Sequence, residues 1–201
     1  GWEMSAIEDF VTRNYAPEIS AQRMAAKIMS CVRSLDLDTM ADDATVAVVK
    51  LRSRCPVNVM IGPPENKDDD LSTMRLFFAK EGKHVVCGGT TAKAVSEYLG
   101  ARVRTLPGSG TETVPPMSEI QGVDLVTEGV VTLNTALEII KAYQKDGMRS
   151  LDLTGQKDGA SKLAEMLLED ATEINILFGN AINFAQQTGC LLYTSDAADE
   201  L

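Results

Sequence analysis

Two stretches carry residue types at spacings that can do chemistry. The first is Asp42-Asp43-Ala44-Thr45-Val46-Ala47-Val48-Val49-Lys50, a pair of carboxylates set where a β-branched run begins. Val46, Val48 and Val49 suit a pleated, half-buried strand. A carboxylate fixed at a strand end grips a hard cation such as Mg²⁺ or Mn²⁺ through oxygen. One acid pair does not complete such a site, and no obvious partner acids stand out in the chain.

The second stretch is Cys87-Gly88-Gly89-Thr90-Thr91-Ala92, between a strand pattern and a helix pattern. Its glycines let backbone approach a ligand, and the N–H groups that follow point out of a positive helix end. Thr90 or Thr91 can cap the helix or bind an oxyanion. The same residues also make an ordinary strand-to-helix turn with a threonine cap. They match neither a Walker loop nor a Gly-x-Gly-x-x-Gly fingerprint. Thr127-Glu128-Gly129 and Phe178-Gly179-Asn180 end two further strand patterns. In open parallel sheets ligands sit beyond the carboxyl ends of the strands. Gly62, Gly88, Gly89, Thr90, Thr91, Thr127, Glu128, Gly179 and Asn180 are therefore expected along one edge, around a small polar or phosphate-bearing ligand. Glu128 suits hydroxyls or a metal-linked phosphate, whereas Asp124 serves as well as a solvent-facing strand residue. Asp158 reads as a helix cap, His84 as a surface residue and Gly108-Ser109-Gly110 as a flexible loop.

Composition narrows the classes. A chain of 201 residues, 44% hydrophobic and 24% charged, holds one large or two small globular domains. Its net charge of −10 argues against nucleic acid as a partner, because phosphate neutralisation needs clustered Lys and Arg. No apolar run approaches the roughly 20 residues of a membrane span. The four cysteines are scattered, which suits neither a disulfide framework nor a zinc site and points to reduced thiols in the cytoplasm. A single histidine, His84, rules out a His-rich metal site within one chain and leaves a Ser-His-Asp triad without its Gly-x-Ser-x-Gly elbow. Neither a signal peptide nor an initiator methionine opens the sequence, so a longer parent is expected.

Those chemical residues need elements to hold them. Residues 1–54 read as helix, helix, strand. Ser5 caps a short helix bearing Ile7, Phe10 and Val11, and Ser20 precedes a second with Met24, Ile28, Cys31 and Val32 on one face. Ala44 to Leu51 is the strand, and the rest of its sheet is expected upstream. Residues 52–56 form a junction. From 57 to about 188 strands and helices alternate, which predicts a mostly parallel sheet flanked by helices. The strands are 57–61, 84–87, 103–106, 123–126 and a final buried one at 174–178. The helices start at Asp68-Asp69-Asp70, run over 91–99 to Gly100, over 133–143 and over 161–169. The connection 107–121, rich in Gly, Pro, Thr and Ser, is long for a loop and reads as a functional flap. Residues 190–201 resemble an in-frame translation of a transposon-based sequencing-library adapter and are set aside from fold reasoning. The native chain is then expected to reach about Gly189.

The succession Gly1-Trp2-Glu3-Met4-Ser5, the helix from Met24 to Val32, Leu35-Asp36-Leu37 and then Asp42-Asp43-Ala44-Thr45-Val46 resembles the carboxyl end of SpoIIE-type phosphatases. These belong to the metal-dependent (PPM) serine/threonine protein phosphatase class. The match covers about a quarter of the chain, and the following segment looks like the extension of some clostridial-type members. The resemblance implies an α/β chain: residues 1–54 as the remnant of a PPM-type α/β sandwich, then 56–189 as a mostly parallel αβα extension domain. It also implies that Asp42 is a metal-binding aspartate, with Asp43 and Thr45 supporting the site. Two Mn²⁺ or Mg²⁺ ions would activate a water against a phosphoserine or phosphothreonine protein, such as an anti-sigma-factor antagonist. The upstream aspartates of the family are missing, so the chain alone is expected to be inactive. The rival expectations are a non-catalytic ligand-binding or interaction module, and an enzyme with its own site in the α/β segment acting on a nucleotide or sugar phosphate.

Overall fold

A computed structural model of the chain describes residues 2–17, 19–35, 43–64, 66, 69–145 and 157–179. The sequence-expected metal ligand Asp42, the edge residue Asn180 and the segment 190–201 lie outside them.

The central strand shows why the fold takes its form. In β1 (Pro56–Ile61) the five residues from Pro56 to Met60 are all buried. A strand apolar on both faces requires cover on both, the pattern of parallel sheets. It pairs in parallel with β2 (Lys83–Cys87), which pairs in parallel with β5 (Leu125–Thr127). On its other side β1 pairs in parallel with β6 (Glu173–Phe178). Two short strands, β3 (Arg104–Thr105) and β4 (Ser118–Glu119), add an antiparallel end, giving the order β3-β4-β5-β2-β1-β6.

Helices fill each face. On one, Met60, Val86 and Val126 pack with Met74 and Phe77 of α3 (Asp70–Phe78) and with Ala92 and Val95 of α4 (Gly89–Leu99). On the other, Val57, Val59 and Val85 pack with Ala136 of α5 (Val130–Lys145) and with Ala160, Leu163 and Ala164 of α6 (Gly159–Glu165). As expected, Gly100 ends α4 in the left-handed conformation and Asp158 caps α6. The Asp158 Oδ1 accepts the N–H groups of Ala160 and Ser161, each at 3.0 Å. Beyond α6 the chain widens into a π-helical turn, Met166–Asp170. One polar side chain sits within the central strand. Asn58 is 1% exposed and satisfied: its Nδ2 donates to the Glu81 and Lys83 carbonyls and its Oδ1 accepts from Asn175.

Ahead of the sheet, α1 (Met4–Asn14) and α2 (Ala21–Leu35) form where their apolar spacing predicts, but Ser5 lies inside α1 instead of capping it, because the helix begins a residue before it, with Glu3 at the cap position and no side-chain cap bond. Ser20 caps α2, its Oγ accepting the Arg23 N–H at 3.1 Å.

Three further expectations are corrected. Ala44 to Leu51 belongs to no strand; no neighbouring strand among the described residues pairs with its backbone. It keeps a two-residue rhythm, with Val46, Val48 and Lys50 half-buried, yet Val49 is 88% and Leu51 94% exposed. Cation-to-carbonyl ties hold it instead. Lys50 Nζ donates to the carbonyls of Pro17 and Ile19, and Arg52 donates to those of Glu169, Asp170 and Ala171. Second, β6 is an edge strand and not a buried one, because the crossover carries it outside β1. Ile174, Ile176 and Phe178 are 47%, 64% and 50% exposed. Third, 107–121 is no free flap. Val114, Met117 and Ile120 are buried, and the buried Ser109 donates to the Leu106 carbonyl while accepting the Met117 N–H.

Burial on α3 alternates sharply between neighbours, since Phe77 is 1% and Leu76 69% exposed. Phe77→Ala is expected to cost about 3–5 kcal/mol, and Leu76→Ala no more than about 0.5 kcal/mol, in urea unfolding. Equal effects would mean that the helix is rotated from this placement.

Candidate functional site

The carboxyl ends of β1, β2, β5 and β6 lie along one edge, so the turns singled out in the sequence do share it. The helices change faces between β2, which leads to α4, and β5, which leads to α5, and there a doubly wound sheet opens its crevice, whereas β1 and β6 lie to one side of it. The loops that end β1 and β6 touch. Gly179 N–H donates to the Ile61 carbonyl at 2.8 Å, and a Cβ on Gly179 would stand 2.2 Å from the Pro63 carbonyl oxygen. A Cβ on Gly62, at φ +77°, would stand 2.8 Å from the Gly179 carbonyl oxygen. These glycines make a backbone-to-backbone contact.

The turn after β2 is more open. Gly88 has φ +108°, and its N–H donates to the Thr127 carbonyl at 2.9 Å, joining the ends of β2 and β5. The amino ends of α4 and α5 follow directly. Thr91 is buried with its hydroxyl donating to the Cys87 carbonyl at 3.0 Å, and Thr127 is buried with its hydroxyl donating to the Glu128 carbonyl at 2.9 Å. Both hydroxyls are thus engaged by backbone. Gly89, Thr90 and Glu128 are exposed and Gly88 is half-buried. The Glu128 carboxylate stands 3.5 Å from where a Gly89 Cβ would lie, at the positive end of α4. An unaccompanied phosphate would meet a like charge there. Ligand hydroxyls, or a phosphate carrying a divalent cation, suit this arrangement better.

Burial pushes the Cys87 thiol up to about 11, so it is a neutral core group and no nucleophile. His84 ties elements together: its ring stacks on Phe78 at 5.1 Å, its Nε2 is 3.0 Å from the Phe77 carbonyl oxygen, and its backbone N–H donates to Asp124 Oδ2. Of the acid-pair motif, Asp43 and Thr45 are both exposed. Among the described residues no group of three or more His, Cys, Asp or Glu could hold a metal ion. No described helix is long and apolar enough to cross a membrane.

A second site escaped the sequence reading. At the amino-terminal edge of the sheet a cavity of about 680 Å³ opens between α2, β4, β5, α6 and the π turn. Arg23 reaches into it from α2, 3.1 Å from Glu169 Oε1 and 3.3 Å from Glu165 Oε1. Tyr143 donates its O–H to Glu169 at 2.9 Å, and burial followed by that bond pushes its phenol up to about 12. Nearby, the hydrogen bond from Lys83 to Asp170 raises the lysine above its ordinary range. The spacing of Glu165 and Glu169 is a sequence signal for a shared face, but nothing local announced the widened turn or Arg23 as partner.

The glycines of the carboxyl edge separate by test. In urea unfolding, Gly179→Ala is expected to destabilise by roughly 1–3 kcal/mol, because backbone occupies the space its methyl needs. Gly89→Ala, with only a 3.5 Å contact and a gain in helix propensity, should be neutral or stabilising by up to about 1 kcal/mol. The reverse ranking would mean that the loops after β1 and β6 do not touch. No protein-family model matches the chain, and no curated protein and no solved structure matches it either.

Proposed function

We propose that the chain is the carboxyl-terminal part of a SpoIIE-type, metal-dependent serine/threonine protein phosphatase that carries an α/β appendage. One observation carries this reading: the Asp42-Asp43-Ala44-Thr45-Val46 motif runs into a segment with the side-chain rhythm of a strand and no strand beside it among the described residues. Val49 and Leu51 stand bare on its outer side, as expected of a ribbon whose sheet is built by other residues. In that reading Asp42 holds one of two Mn²⁺ or Mg²⁺ ions, and Asp43 and Thr45 support it. The substrate class is a phosphoserine or phosphothreonine protein met in the cytoplasm. The companion aspartates belong to the sequence expected upstream, so no catalytic step is derived from this chain alone.

A second reading, a non-catalytic module, is favoured by the open turn at Gly88, Gly89, Thr90 and Glu128. There exposed backbone and one carboxylate face solvent at the amino end of α4. It fits a polyol or a cation-linked phosphate, and it is compatible with the appendage acting as the sensory part of the phosphatase.

The experiment is to express the chain together with the coding sequence that precedes it and to measure Mn²⁺-dependent hydrolysis of p-nitrophenyl phosphate. Asp42→Ala is expected to lower the rate by more than roughly 100-fold, beyond what loss of an outer-shell partner costs. Undiminished activity in that variant, or an upstream frame without further metal-binding aspartates, would overturn the assignment.

A further inference from the structure

Little apolar surface binds the amino-terminal helices to the α/β unit. α1 has no buried residue, and α2 buries only Met24 and Ala26. No described residue of either helix belongs to the two apolar clusters that cover the sheet. Charge holds them instead. The Arg23 guanidinium, 15% exposed, is shared between Glu165 at 3.3 Å and Glu169 at 3.1 Å, in α6 and the π turn.

That tie is tight but costly. Glu169 Oε1 takes both Arg23 and the Tyr143 hydroxyl, while Oε2 is buried with no hydrogen-bond partner among the described residues. A carboxylate held out of water with one oxygen lacking a donor burdens the closed form. Beside the tie, the cavity of about 680 Å³ leaves open a space that a permanent core fills.

The remaining ties divide into two sets. Lys50 donates to the Pro17 and Ile19 carbonyls and so joins its segment to the helices. Arg52 donates to carbonyls of the π turn and its end, and Cys55 and Thr172 exchange two hydrogen bonds, so that strap belongs to the α/β unit. Leu51 lies between the sets and is 94% exposed, so the chain can bend there without losing packing.

We propose that Arg23 on Glu165 and Glu169 is a latch: α1, α2 and the segment ending at Lys50 swing away from the α/β unit about Leu51 while the sheet stays folded. This release does not depend on the phosphatase reading.

Native-state hydrogen exchange of the full chain at increasing urea reads the release. A helix as short as α2 is marginal alone in water, so its amides exchange once it leaves. In the wild-type chain, amides from Met24 to Val32 are expected to exchange through an opening with a smaller urea dependence than that of Val57 to Met60. Arg23→Ala and, separately, Glu169→Gln should each speed exchange in α2 about tenfold or more, the second from an element remote in sequence. Val57 to Met60 should remain the slower set in both. Arg23→Lys, which keeps the charge and loses the shared fork, replaces Arg23→Ala if that variant does not fold, with the same direction expected. Exchange of α2 and β1 through one common opening in the wild-type chain overturns the proposal. So does unchanged α2 exchange in a folded variant, which would mean that the helix opens without breaking the tie.

Discussion

The fold depends on one constraint: a central parallel strand that is apolar on both faces must be covered on both. β1 imposes it, being buried from Pro56 to Met60 and flanked in parallel by β2 and β6. α3 and α4 answer on one face, and α5 and α6 on the other. Asn58 adds direction to an otherwise greasy ladder. A buried amide must find partners, and its three hydrogen bonds fix where the chain enters β2 and where β6 lies. Apolar packing alone would tolerate a slipped register; this amide would not.

Parallel strands give the molecule two unlike edges. At the carboxyl edge the chain turns into helix amino ends, and polar backbone gathers at Gly88, Gly89 and Thr90 beneath the Glu128 carboxylate. At the amino edge the sheet meets α2, the strap at 52–55 and the π turn, and cations do the joining. Arg23 binds Glu165 and Glu169, Arg52 binds three successive carbonyls, and Arg54 pairs with Glu173. The Arg54–Glu173 pair is exposed and contributes little. The Arg23–Glu169 contact is mostly buried, and there loss of one partner strands the other.

What could be read from the sequence was local. The apolar runs of β1 and β2, the helix ended by Gly100, and the caps at Ser20 and Asp158 each follow from a few neighbouring residues. What could not be read depends on residues far apart. Ile174, Ile176 and Phe178 look like a core strand until the strand order places β6 at the rim. The stretch 107–121 looks loose by composition, yet single apolar residues at 114, 117 and 120 anchor it. At the carboxyl edge the strand pattern places the turns on one side of the sheet, but the inward hydroxyls of Thr91 and Thr127 depend on backbone acceptors that composition does not reveal. The amino-edge cavity joins residues 23, 143, 165 and 169, and no spacing rule connects them.

Native-state hydrogen exchange tests the central claim most directly, namely that β1 and β2 form the doubly covered heart while, among the described residues of this chain, 44–51 pairs with no strand. Amides from Val57 to Met60 and from Val85 to Cys87 should exchange only through global unfolding, with its full denaturant dependence. Those from Ala44 to Leu51 should exchange near the rate of an open chain. Protection at 44–51 equal to that of β1, or local opening of β1 itself, would contradict the account.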